Sequence, residues 1–238
     1  MMLSIKNLTK AYSKGKNAVE NVSIDVMPGE IFGFIGHNGA GKTTTIKCIV
    51  GILEFSDGEI YVDGKSVKDN PMECKKMMAF IPDNPDLYES LTGIQYLNFI
   101  ADIYEVSKDQ RESLIKKYGD IFEITANLGD IISSYSHGMK QKLALISAFI
   151  HKPKLLILDE PFVGLDPKAS HSVKEIMKEI CDEGGAIFFS THVLEVAEKI
   201  CDKIAIIKDG KIVASGVTDE VRGNGSLEDI FMELIDHE

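Results

Sequence analysis

Arginine is nearly absent from this chain. Among 26 basic residues only Arg111 and Arg222 are arginines, and neither falls in a motif. An internal arginine that would neutralise a phosphoryl group in transit is therefore not expected. Cys48, Cys74, Cys181 and Cys201 are scattered and form no C-x-x-C pair. That argues against a zinc site or disulfide framework and suits reduced thiols in a cytosolic protein. No apolar run approaches the roughly 18 residues that suggest a bilayer span. The opening MMLSIKNLTKAY lacks the continuous apolar core of a secretory signal. A net charge of −11 gives no bulk attraction to nucleic acid or anionic lipid, so no nucleic-acid partner is expected.

What is present is a chain of 238 residues, 44% apolar, enough for one large domain or one domain with an insertion. Ile24 and Val26 alternate with polar residues before a Pro28-Gly29 turn. Ile31 to Ile35 is continuously apolar, as in a strand buried on both faces. A glycine-rich loop follows, and Thr43 to Val50 then reads as a helix. SDGEIYVDGKSV reads as a hairpin with an Asp-Gly turn at each end. Thr92-x-x-Gln95 and Ser107-x-x-Gln110 carry capping-box signatures. Ile94, Leu97, Ala101 and Tyr104 follow the first at helical spacing; Leu114, Ile115, Tyr118 and Phe122 follow the second. Residues 84 to 150 are therefore read as a helical block. Beyond it, LLILD and AIFFS are buried strands, and Asp166-Pro167 opens a helix that ends at Gly184-Gly185. THVLEVAEKI is a short helix, and KIAIIKDGKIVASG a hairpin around Asp209-Gly210. Strands that alternate with helices indicate a mostly parallel sheet.

The segment GHNGAGKT fits GxxxxGK[ST] at every fixed position and lies between a buried strand and a helix. Glycines at 36, 39 and 41 let backbone amides converge on an anion, with the helix dipole behind them. Lys42 can reach β- and γ-phosphates, and the Thr43 hydroxyl can ligate Mg²⁺. A chance glycine turn would not need strand, loop and helix to agree. Asp159 ends an apolar strand, so its carboxylate emerges at the edge where the phosphate loop leaves its own strand. It can hold Mg²⁺, and Glu160 can take a proton from an attacking water. Apart from the phosphate loop, the two acids would read as solvated loop residues. No Asn-Lys-x-Asp segment for guanine is present.

With these parts in place, the sequence resembles the ATP-binding subunit of an ABC transporter over nearly its whole length. Tyr12 falls where the family stacks an aromatic on adenine. GHNGAGKTT, Gly36, His37, Asn38, Gly39, Ala40, Gly41, Lys42, Thr43 and Thr44, is the Walker A motif. YSHGMKQKL matches the signature usually written LSGGQ, and LLILDEP is Walker B with the catalytic glutamate. GLD, Gly164 to Asp166, is the D-loop, and His192 the switch histidine.

The resemblance implies an α/β fold: a P-loop NTPase core with a mostly parallel sheet, an N-terminal antiparallel β subdomain and an inserted α-helical subdomain. It implies one domain over 1–238, with 1–83 and 151–238 as the core and 84–150 as the helical part. The cofactors implied are ATP and Mg²⁺, the metal held by Thr43, Asp159 and Asp83. The catalytic residues implied are Glu160, His192 and Lys42. Ser136 and Gly138 would meet the γ-phosphate of a second subunit across a head-to-tail dimer, with Asp166 crossing the same interface. On residues alone, Ser136 and Asp166 read as N-caps, His192 as a helix-start residue and Tyr12 as a strand-end aromatic.

The chain departs from the family where Asp83 stands for a glutamine, and where Tyr135, His137 and Met139 stand for Leu, Gly and Gln. These variants resemble the subunits of ABC-2-type exporters. Implied partners are an identical or related ATP-binding subunit and a membrane permease docked between Asp83 and Tyr104. The implied location is the cytoplasmic face of the membrane, held there by the permease. The alternative is a soluble ABC ATPase that acts on DNA or ribosomes. Such proteins usually have paired cassettes, coiled-coil arms or a basic surface, and this sequence has none of them.

Overall fold

Apolar strands alternating with amphipathic helices build two sheets here. The structure, a computed structural model, describes residues 1–13 and 16–236. The chain runs β1 (Leu3–Ser13), β2 (Lys16–Val26), β3 (Ile31–Ile35), α1 (Lys42–Ile49), β4 (Asp57–Val62), β5 (Lys65–Ser66), α2 (Pro71–Met77) and β6 (Met78–Ile81). Three helices follow, α3 (Gly93–Ile103), α4 (Lys108–Ile121) and α5 (His137–Phe149). Then come β7 (Leu155–Asp159), α6 (Pro167–Asp182), β8 (Ala186–Thr191), α7 (Leu194–Ile200), β9 (Lys203–Lys208), β10 (Lys211–Val217), α8 (Thr218–Arg222) and α9 (Leu227–Asp236).

The larger sheet has the order β10-β9-β3-β8-β7-β6, parallel except for β10 at its edge. The smaller, β2-β1-β4-β5, is antiparallel. Successive residues of the central strands point to opposite faces. Phe32, Phe34, Ile157 and Phe188 pack with the antiparallel sheet and α1. Ile31, Ile35, Leu158 and Phe189 pack with α3 to α6. This is why the strands read as unbroken apolar runs. Phe188 lies between two rings, 5.7 Å from Phe32 and 5.5 Å from Phe34. All four cysteines are free and buried.

Local chemistry sets the helix starts. Thr92 accepts from the Gln95 amide at 3.3 Å, and the Gln95 side chain accepts from the Thr92 amide at 2.9 Å, a complete capping box. Asp166 caps α6 by accepting from the Ala169 amide at 2.8 Å, with Pro167 at the first helical position.

Several local expectations change. Ser107 is the N-cap of α4, but its side chain makes no capping bond. Asp57-Gly58 is not a turn. It opens β4 beside a register shift against β1, with Gly58 at φ 99°. A Cβ there would lie 2.6 Å from the Lys6 carbonyl oxygen, so the glycine serves close strand approach. The short elements α2, β6, α8 and α9 have no counterpart in the sequence reading.

Candidate functional site

Strand order brings the candidate residues together. β8 lies between β3 and β7, so the loop after β3 and the acid ending β7 flank the end of β8. The loop folds back on itself: the Ala40 amide donates to the His37 carbonyl at 3.2 Å, and Gly210 donates to the Ala40 carbonyl at 2.9 Å. Gly41 caps α1 at φ 114°, where a Cβ would lie 2.7 Å from the Ala18 carbonyl oxygen. Only glycine meets both demands. No side chain caps α1, which leaves its first amides for an anion.

A cavity of about 300 Å³ opens above this loop. Tyr12, Ala18, His37, Asn38, Gly39, Gly41, Lys42, Thr43, Thr44, Asp83, Asp159 and Glu160 line it. Lys42 is buried; its Nζ donates to the carbonyls of Gly36 at 2.6 Å and His37 at 3.3 Å. The same Nζ stands 3.5 Å from Glu160 Oε1. The Thr43 hydroxyl donates to Asp159 Oδ2 at 2.7 Å. Ser190, opposite Asp159 in the β7–β8 register, donates to Asp159 Oδ1. Glu160 is one of the few non-glycine residues at positive φ, at 50°. Its Oε2 accepts from the His192 amide at 3.3 Å, and His192 Nδ1 lies 3.0 Å from its Oε1. That Oε1 is buried and has no well-aligned donor. It is held between the Lys42 ammonium and the His192 imidazole.

Tyr12 is 63% exposed at the end of β1, and its hydroxyl lies 3.2 Å from Thr44 Oγ1. Lys10 Nζ lies over its ring, 5.5 Å from the centroid. Asp83 is exposed on the rim. The donors near the loop are hydroxyl and carboxylate oxygens. Among the described residues no group of three or more His, Cys, Asp or Glu could hold a metal. That set suits Mg²⁺, which takes few protein oxygens and completes its shell with phosphate and water, and not Zn²⁺.

Ser136, Gly138 and Asp166 do not line this cavity. Ser136 caps α5, accepting from the Met139 amide at 3.3 Å, and is exposed. Asp166 pairs with Lys142 at 2.7 Å. Tyr135 is buried, and its hydroxyl donates to the Asn127 carbonyl at 2.6 Å, so it anchors α5 from below. Sequence reasoning missed Ser190 and Ala18. The Ser190 signal is its place at the end of AIFFS, legible only once β8 is known to adjoin β7.

A glycine loop between a parallel strand and a helix, with paired acids on a nearby strand end, defines a phosphate-loop nucleotide hydrolase. The ABC transporter family matches residues 19–163. The ABC-type transporter ATP-binding protein EcsA of Bacillus subtilis is 37% identical over 98% of this chain and 96% of its own. A solved ATP-binding subunit of an ABC transporter is 37% identical, covers 99% of this chain and 100% of its own, and has a TM-score of 0.95. A dimeric ATP-binding cassette bound to ADP and Pi, 23% identical, shares the fold at a TM-score of 0.82 over 91% of this chain and 99% of its own. This chain belongs to the ABC transporter family. It is an ATP-binding subunit and an ATPase.

Proposed function

We propose that the chain binds Mg·ATP in the cavity above Gly36–Thr44 and hydrolyses it only as one half of a two-subunit engine that drives a separate membrane permease. The observation that carries this is a division of parts. Lys42, Thr43, Asp159 and Glu160 line one cavity and His192 stands against Glu160, while the exposed start of α5 is no part of that lining. A phosphate-seeking helix end with no phosphate loop beneath it fits the nucleotide of a second subunit. It also supplies positive potential in a chain with two arginines.

Tyr12 stacks on the adenine. Lys42 meets the phosphate oxygens, and the α1 amides cradle them. Thr43, Asp159 and Asp83 would hold Mg²⁺, which would supply positive charge against the charge on the transferring phosphoryl group. Glu160 takes the proton of the attacking water, and His192 orients that water and the γ-phosphate. Lys42 and His192 stand beside the Glu160 carboxylate. Phosphate competes for both and leaves the base free.

Tyr88, Phe99 and Ile103 are 58%, 42% and 52% exposed and surround the start and outer face of α3. Tyr88 and Phe99 touch edge to face at 5.6 Å. This apolar patch is the docking face for the permease. Among the described residues no helix is long and apolar enough to cross a membrane. In this reading the membrane path belongs to the permease, and the subunit sits on the membrane's cytoplasmic face. The signature variants favour export.

The test is Glu160→Gln. It should bind Mg·ATP, accumulate as an ATP-bound dimer in light scattering, and lose at least about a hundredfold in turnover. Hydrolysis at near-normal speed would remove Glu160 from the base role. Recovery with ribosomes or DNA rather than with solubilised membranes would favour the soluble alternative.

A further inference from the structure

At the first helical position of α5 this chain has a histidine where the family signature has glycine. His137 is exposed, but one edge of its imidazole lies against Gly164. A Cβ on Gly164 would lie 2.8 Å from His137 Cδ2 and 3.0 Å from its Nε2. The ring edge therefore rests over the Gly164 backbone, which adopts φ 78°. A Cβ on Gly138 would lie 3.2 Å from the Gly164 carbonyl oxygen. One turn on, Lys142, only 15% exposed, pairs with Asp166 Oδ2 at 2.7 Å. One ion pair and two close backbone approaches thus hold the first turns of α5 beside residues 164–166.

That segment leads back to the base. The Leu165 amide donates to the Phe162 carbonyl at 3.5 Å and the Val163 amide to the Glu160 carbonyl at 3.2 Å. A short hydrogen-bonded turn therefore separates Gly164 from Glu160 and its left-handed backbone. Close-packed contacts transmit a displacement because they compress little. A glycine at 137 would leave the space over Gly164 open.

We propose that His137 is a positioning residue that clamps the Gly164–Asp166 segment to the start of α5, so that a nucleotide arriving at Ser136 from the partner subunit shifts Glu160 in this chain's own site. The proposal rests on the two-subunit reading above. Its consequence is cooperative hydrolysis by the two sites.

The experiment measures ATP hydrolysis against ATP concentration for the full chain, His137→Ala, His137→Phe, Gly164→Ala and the His137→Ala/Gly164→Ala double variant. The unaltered chain should be sigmoidal. His137→Ala should lower the Hill coefficient toward 1, and His137→Phe, which keeps a ring, should retain cooperativity. Gly164→Ala strains the φ 78° backbone in either background, but it should lower turnover at least about threefold more in the native background than with His137→Ala, because only there does the new Cβ also strike the ring. The same Gly164→Ala penalty in both backgrounds, an unchanged Hill coefficient in His137→Ala, or hyperbolic hydrolysis by the unaltered chain overturns the proposal. If Glu160→Gln forms no ATP-dependent dimer, the two-subunit reading falls and takes this one with it. If that dimer forms and the cycle is additive, only the clamp falls.

Discussion

His151 stacks on Tyr104 at 3.7 Å between ring centroids, tilted by 13°. Its Nε2 lies 3.3 Å from the Met78 carbonyl. Burial holds the imidazole below its ordinary value of 6.5, against the weaker pull of two backbone carbonyls. The folded state therefore keeps it neutral to lower pH than the unfolded state does. As pH falls below about 6.5, the unfolded chain takes up the proton first and stability is lost, until the folded value is reached. His151→Phe keeps the stack and removes the titration. In urea unfolding between about pH 5 and pH 8 it should lose less stability on acidification than the parent. Parallel pH profiles would remove His151 as the cause. Glu160 and Gly41 show residue chemistry differently. Each has a positive φ, yet only Gly41 could be suspected from sequence, because a glutamate does not announce its backbone angle.

At the level of elements, caps were readable where side chain and backbone are local partners. Thr92→Ala removes the hydroxyl that accepts from Gln95 and should cost about 1 kcal/mol, seen as a lower urea midpoint with unchanged slope. Ser107→Ala should cost less, because that side chain makes no cap bond. Equal losses would mean that the difference between the two caps carries no energy. Buried strands were legible for a similar reason: β3, β7 and β8 are apolar on both faces. The edge strand β6 was not, because four residues with a partly exposed Phe80 give no period to count. The helices α2 and α8 are short and owe their place to neighbours rather than to a pattern of their own.

For the whole molecule, the decisive question is whether one chain suffices. Ser136 sits at the exposed start of α5, away from the cavity that its own chain forms. Ser136→Glu places a negative charge where the partner's γ-phosphate would arrive. Nucleotide binding by the isolated subunit should stay the same. The ATP-driven dimer of Glu160→Gln should weaken at least about tenfold when Ser136→Glu is added. A dimer of unchanged affinity would contradict the composite site. A strictly monomeric chain that hydrolyses ATP at full speed would do so more directly.

The sequence by itself determined the class of fold and the phosphate loop, because both are written in contiguous residues: an apolar strand, three glycines, a lysine and a threonine. It also placed Asp159 and Glu160 at a strand end. Tertiary structure alone decided that β8 lies between β3 and β7, and so that Ser190 meets Asp159 and His192 meets Glu160. It likewise put His137 over Gly164. Such contacts join residues tens of positions apart, and pairing over that distance depends on strand order and packing, which no local period or motif encodes.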